Sequence, residues 1–206
     1  VLQNDDRTPF DGDARNALAA VLNRFATLGL RPVPAFELEF YLADPKAVDG
    51  ALSNPLTGAL VIREGVLSLD DLDDFDAILT DIYDACKVQS VAADAAISES
   101  GIGQFEVNLR HGEDAMKVAD DAMLFKTIVK SVARKHGLAA SFMAKPFADR
   151  PGNGLHMHFS ILDSSGANVF DNGDADGSAM LYHAVAGVLA AMPESMLFFA
   201  PHLNSY

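Results

Sequence analysis

Cysteine is nearly absent. Cys86 stands alone among 206 residues, so no intramolecular disulfide can form and the chain fits a reducing compartment. Positive charge is also scarce, with 15 Lys+Arg against 29 Asp+Glu and a formal net charge of -14. Such a surface repels phosphate backbones, which argues against nucleic acid as a partner. An anionic small ligand stays open, because a bound divalent cation reverses the local field. No apolar run reaches the roughly 20 residues of a membrane span, so no membrane partner is expected. The first residues lack the layout of a secretory leader, and a cytoplasmic location is expected. No Walker-type glycine loop is present to cradle phosphates. What remains is ordinary globular composition: 50% hydrophobic, 21% charged, with a mean hydropathy of +0.13. Disorder, collagen and coiled coil are excluded on those values.

Apolar periodicity predicts helices over 14–28, 69–88, 113–136 and 178–192. Asp13 is placed to cap the first and Gly29 to close it. The second carries Asp70, Asp71, Asp73, Asp74, Asp76, Asp81 and Asp84 away from its apolar stripe, which reads as a solvated face. Strands are predicted over 36–42, 104–109, 139–143 and 155–162, with a short one at 168–170. Residues 43–65 read as loop. Strands separated by long helices, with hairpin-like turns, indicate an α+β fold with a mostly antiparallel sheet flanked by helices.

Three of these strands share an unusual feature. Side chains alternate between strand faces. The polar face of 36–42 is Glu37, Glu39 and Tyr41; that of 104–109 is Gln104, Glu106 and Asn108; that of 155–162 is His156, His158 and Ser160. A solvated face is usually rich in Thr, Lys and Ser, whereas these concentrate Glu and His and hold no Lys or Arg. If the strands share a sheet, crowded carboxylates repel and one must take a proton or a cation must enter. Mostly oxygen ligands with an imidazole suit Mg²⁺ or Mn²⁺ better than Zn²⁺. Glycines 101 and 103 can turn the backbone so that Glu99 folds back beside Glu106. Gly152 and Gly154 give the histidine strand a glycine-rich approach, the layout of a ligand-contacting loop.

Five ordered motifs then resemble a known family. They are Phe36-Glu37-Leu38-Glu39-Phe40; Glu99-Ser100-Gly101-Ile102-Gly103-Gln104-Phe105-Glu106; Phe142-Met143-Ala144-Lys145-Pro146; Gly152-Asn153-Gly154-Leu155-His156-Met157-His158-Phe159-Ser160; and Asn204-Ser205-Tyr206. The set is similar to glutamine synthetases, nearest in look to the bacterial gamma-glutamylpolyamine synthetases. The resemblance implies a curved antiparallel sheet forming a funnel for divalent ions, ATP and glutamate. ATP phosphorylates the glutamate side chain, and an amine or ammonia then displaces phosphate. It implies that Glu39, Glu99 and Glu106 hold the metal nearer the amino acid. Glu37 and His156 hold the metal bridging the ATP phosphates, His158 and Ser160 line the nucleotide side, and Gly152 lies beside glutamate.

Two departures lean toward an organic amine rather than ammonia. Many members carry Asn-Gly-Ser-Gly where this chain has Pro151-Gly152-Asn153-Gly154, and Met-Pro-Lys-Pro where it has Met143-Ala144-Lys145-Pro146. The chain starts without methionine and neither end reads as a natural terminus. Residues 1–206 are therefore expected to form part of a single catalytic domain. A small N-terminal domain and the C-terminal part of the catalytic domain would lie outside it, within a homo-oligomeric ring. A non-catalytic relative of the same fold and a cupin-like metal dioxygenase are the competing readings. The alternation predicts Glu37, Glu39, Glu106, His156 and His158 on one face of one sheet, with Glu99 close to Glu106.

Overall fold

The alternating stretch around residues 36–42 forms the strand that organises the sheet, β1 (Arg31–Ala43), and its inward side chains Leu38, Phe40 and Leu42 are at most 1% exposed. The computed structural model describes residues 2–46, 53–59 and 65–205. The chain divides into two compact units. One comprises Val1–Pro34, His111–Ala119 and His158–Pro201; the other comprises Ala35–Arg110, Asp120–Met157 and His202–Tyr206.

The second unit contains most of β1, with α2 (Leu69–Asp74), α3 (Asp76–Val88), β2 (Ala93–Ser98), β3 (Gln104–Leu109), most of α4 (Ala115–Lys135), β4 (Ala139–Ser141) and the start of β5 (Leu155–Leu162). β3 lies antiparallel to β1, with Glu37 opposite Asn108, Glu39 opposite Glu106 and Tyr41 opposite Gln104. β2 extends the sheet antiparallel beyond β3, β4 pairs with Tyr41, Leu42 and Ala43, and β5 also pairs with β1. The expected α+β architecture is therefore present. Period-2 and period-3.6 stripes meet in one core: Leu38, Phe40, Phe105 and Val107 from the sheet, Ile78 and Ile82 from α3, Phe125, Val129 and Val132 from α4. Aromatic rings occupy its centre. Phe40 and Phe125 meet edge to face at 6.1 Å, and Phe75 and Phe105 lie 4.9 Å apart.

In the first unit, Asp13 caps α1 (Ala14–Thr27) by accepting from the Arg15 and Asn16 amides, and Gly29 closes it at φ +68°. The unit also contains the end of β5 and α5 (Ala179–Phe199), capped by Ser178.

Several expectations are corrected. The predicted helix over 69–88 is two helices, because Phe75 between them takes φ -101°, ψ 9°. Its acidic face is solvated as expected, with Asp70, Asp73, Asp74, Asp76, Asp81 and Asp84 exposed, and three of its aspartates also find partners. Asp71 accepts from Ser98 Oγ at 3.2 Å, Asp74 from Asn54 Nδ2 at 2.7 Å, and Asp81 meets His136 Nε2 at 2.7 Å. Strand β2 was not anticipated, since its alanine-rich sequence has little strand preference and pairing with β3 imposes it. On β5 the predicted apolar face is buried only at Ile161, while Leu155 and Met157 are each 55% exposed. The final helix continues through Pro193 to Phe199, so α5 is long and apolar enough to cross a membrane by length and composition, contrary to the reading of short apolar runs. At 168–170 only a single bridge, Leu162 to Asn168, forms. Much of the predicted loop 43–65 lies outside the described residues.

Phe125 is fully buried against Phe40 and Phe142. Phe125→Ala is expected to lower unfolding free energy by about 3–5 kcal/mol in a urea titration, and a loss below about 1 kcal/mol would contradict the packing described.

Candidate metal centre

Strand pairing alone brings two carboxylates together. Glu39 and Glu106 are direct cross-strand partners, and Glu37 is two residues along β1 on the same face. Opposed residues have Cβ atoms about 4.5–5.5 Å apart. His156 approaches from β5, with Nδ1 3.3 Å from Glu37 Oε2 and 3.9 Å from Glu106 Oε2. Ligand atoms of Glu37, Glu106 and His156 all lie within 4.8 Å of one another. Glu106 is buried, Glu37 half-buried and His156 exposed.

The electrostatics are those of a site short of positive charge. Burial pushes the Glu106 carboxyl above its ordinary range, and the charges of Glu37, Glu99 and Glu39 push it further, with only His156 opposing. Glu99 is also raised, first by burial and then by Glu39, against the Ser100 amide and His156. Glu99 thus belongs to the same field as Glu39 and Glu106. Carboxylates in a confined space with one imidazole and no nearby cation among the described interactions are the complement of a hard divalent ion. The donor set fits Mg²⁺ or Mn²⁺.

Local backbone geometry holds these groups. The Glu99 amide donates to the Gln104 carbonyl at 2.9 Å and the Gln104 amide to the Gly101 carbonyl at 2.9 Å, closing the β2–β3 turn. Gly103 takes φ +70°, and a Cβ there would stand 2.5 Å from the Leu42 carbonyl, so both conformation and space require glycine. Gly154 lies close to the site: Glu39 N–H donates to the Gly154 carbonyl at 3.2 Å, and a Cβ at 154 would stand 2.6 Å from Glu39 Oε1, so the carboxylate end would have to move.

The glycine-rich approach to β5 is pinned. Asn153 donates from Nδ2 to the Ser141 and Met143 carbonyls at 3.1 and 2.9 Å, and its amide to Ala144 at 2.8 Å. The Tyr41 hydroxyl donates to the Pro151 carbonyl at 2.9 Å. Of the residues singled out in the sequence, Glu37, Glu39, Glu99, Glu106, Gly152 and His156 lie in the second unit, and His158 and Ser160 lie further along β5 in the first. The tightest triad joins Glu106 to Glu37 and His156. The roles of Asn153, Tyr41 and Gln104 depend on distant partners and do not show in the sequence, although Tyr41 and Gln104 lie on the polar strand faces.

Comparison with known proteins matches the family described as glutamine synthetase, catalytic domain, over residues 11–206. The chain belongs to the glutamine synthetase catalytic-domain family. It is 38% identical to gamma-glutamylputrescine synthetase of Escherichia coli, covering all of this chain and 44% of that protein. It is 31% identical to glutamate–isopropylamine ligase of a Pseudomonas species, covering 100% of this chain and 45% of that one. It is 34% identical to the glutamine synthetase of Pyrococcus horikoshii, covering 98% and 43%. Among solved structures, the GmaS/ADP complex superposes with a TM-score of 0.86 at 30% identity, over 98% of this chain and 46% of that one. The chain thus spans under half the length of these family members.

A charge cluster of this kind has a pH signature. Because the folded state raises the Glu106 pKa above its ordinary 4.5, it holds that proton more tightly than the unfolded chain does. Stability of the metal-free protein therefore falls as pH rises from that ordinary value through the raised one. Glu106→Gln is expected to raise the metal-free Tm at neutral pH by about 2–4 °C, with the gain vanishing in acid. Equal melting of variant and wild type at neutral pH would contradict an uncompensated cluster.

Proposed function

We propose that this chain supplies the metal-binding part of the catalytic domain of a longer, ATP-dependent ligase that joins the glutamate side-chain carboxyl to an amine. The observation that carries the reading is the crowding of Glu37, Glu39, Glu99, Glu106 and His156 on one side of β1, β3 and β5. A structural relative gains nothing from such repulsion, so a non-catalytic role is disfavoured. A cupin-like dioxygenase does not explain Glu37 and Glu39.

Glu39, Glu99 and Glu106 would hold one Mg²⁺ or Mn²⁺ near the amino acid, and Glu37 and His156 a second at the ATP phosphates, where it would neutralise phosphate charge and orient in-line phosphoryl transfer. The chain's own groups do the rest of the positioning. Because burial and neighbouring carboxylates raise the Glu106 and Glu99 pKa values, protons would compete with a cation for these two groups, so metal affinity would rise with pH through their titration. Gly152 presents backbone to the amino acid from a loop held by Asn153 and Tyr41. His158 and Ser160 contact the nucleotide. In the reaction, a glutamate carboxylate oxygen takes the ATP γ-phosphoryl group and ADP leaves. The amine nitrogen then attacks the acyl phosphate carbon, phosphate departs, and the nitrogen gives up a proton.

An organic amine is the proposed acceptor. Pro151 stands where many members have Asn, Ala144 replaces a proline, and two of the relatives are named for organic amines. The whole enzyme is proposed to be a cytoplasmic homo-oligomeric ring.

Phosphate release by the full-length enzyme, with ATP, glutamate and a series of amines, tests this. Putrescine or another organic amine is expected to give a higher kcat/KM than ammonia, and Glu39→Ala or Glu106→Ala to reduce release to background. The 206-residue chain alone is expected to show no turnover. Full activity in either variant, or a preference for ammonia, would overturn the corresponding part of the proposal.

A further inference from the structure

Gln104 is 1% exposed, yet its carboxamide reaches three separate segments of the chain. Oε1 accepts from the Gly101 amide at 3.0 Å. Nε2 faces three oxygens: Gly152 carbonyl at 2.9 Å, Asn153 Oδ1 at 3.1 Å and Glu39 Oε2 at 3.2 Å. Glu39 is 65 positions away in sequence, and Gly152 and Asn153 are 48 and 49 away. A buried glutamine that merely satisfies itself needs no such spread of partners.

The chemistry fixes which residue can stand here. One end must accept from a backbone N–H, and the other must donate to oxygens that cannot donate to one another. A primary amide does both. The orientation of the carboxamide is also determined, since reversing it would set Nε2 against the Gly101 N–H and Oε1 against three oxygens. Two N–H protons serve three acceptors, so one is shared, and Glu39 has the longest contact. Glu39 Oε2 is thereby held toward Gln104, while Oε1 lies against Gly154.

We propose that Gln104 is a positioning residue that locks the Glu39 carboxylate and the 152–154 loop into one rigid unit, so that a metal ligand and the backbone beside the amino acid are aligned together. What the two ends bind rests on the function proposed above; the strut itself rests on the hydrogen bonds. Gln104→Glu removes the donor and sets a carboxylate against three oxygens. Gln104→Met keeps approximate size and removes every polar contact.

Hydrogen exchange at the 152–154 amides, together with Mn²⁺ titration of the 206-residue chain, tests the proposal. In Gln104→Met, exchange at these amides is expected to rise about tenfold while α4 amides keep their rates, and Mn²⁺ to bind about 10- to 100-fold more weakly. Gln104→Glu should move both readouts the same way. Unchanged loop exchange, or a Mn²⁺ Kd within about twofold of wild type, overturns the proposal. A wild-type chain that binds no Mn²⁺, with a loop that still loosens in Gln104→Met, supports the strut and overturns the metal reading instead. Should the variants not fold, the wild type decides. On Mg²⁺ addition the Gln104 side-chain amide resonance should move with that of Gly152, and a stationary Gln104 resonance while His156 shifts overturns the coupling.

Discussion

The register between β1 and β3 is the constraint on which both the core and the site depend. Glu39 opposite Glu106 and Phe40 opposite Phe105 are consecutive pairs of one ladder, facing opposite ways. Slipping that ladder by one residue would send the carboxylates into the core and the aromatic rings to the site. The rings of Phe40, Phe75, Phe105 and Phe125 make such a slip costly. Apolar packing on one face therefore supplies the free energy that holds like charges together on the other. Without that packing, Glu37, Glu39 and Glu106 would separate.

Glycine and amide chemistry complete the arrangement. The 150–154 segment is tied to β1 by Tyr41, to the 141–144 stretch by Asn153 and to β3 by Gln104. A Cβ at Gly154 would displace the Glu39 carboxylate end from its present place. The result is a cluster of carboxylates and an imidazole ordered by the fold itself, which under the proposed metal-binding role would keep reorganisation cost low. Burial, and then the charge of neighbouring carboxylates, raises the Glu99 and Glu106 pKa values, which is the electrostatic cost of holding these groups together.

Much of this was legible in the sequence because alternation is a local property. The polar faces of 36–42 and 104–109 could be read residue by residue, and the predicted approach of Glu99 to its fellow carboxylates followed from two glycines. What could not be read were features set by distant partners. Strand β2 is alanine-rich and exists because β3 offers it a ladder. The break at Phe75 has no proline or glycine to announce it. Asp71, Asp74 and Asp81 belong to the solvated face that the sequence shows, but their partners Ser98, Asn54 and His136 come from other elements. Gln104 showed itself as a polar residue on a strand, while its reach to Glu39 and Gly152 depends on how β1 and the loop are brought together. The continuation of α5 through Pro193 goes against the local preference that ends helices near proline.

Anomalous diffraction from crystals of the chain soaked in Mn²⁺ addresses the metal centre most directly. A peak bonded to carboxylate oxygens of Glu37 and Glu106 and to the His156 imidazole is the expected result. Mn²⁺ bound only elsewhere, with these three side chains uncoordinated at saturating metal, would contradict a metal centre on this face of the sheet.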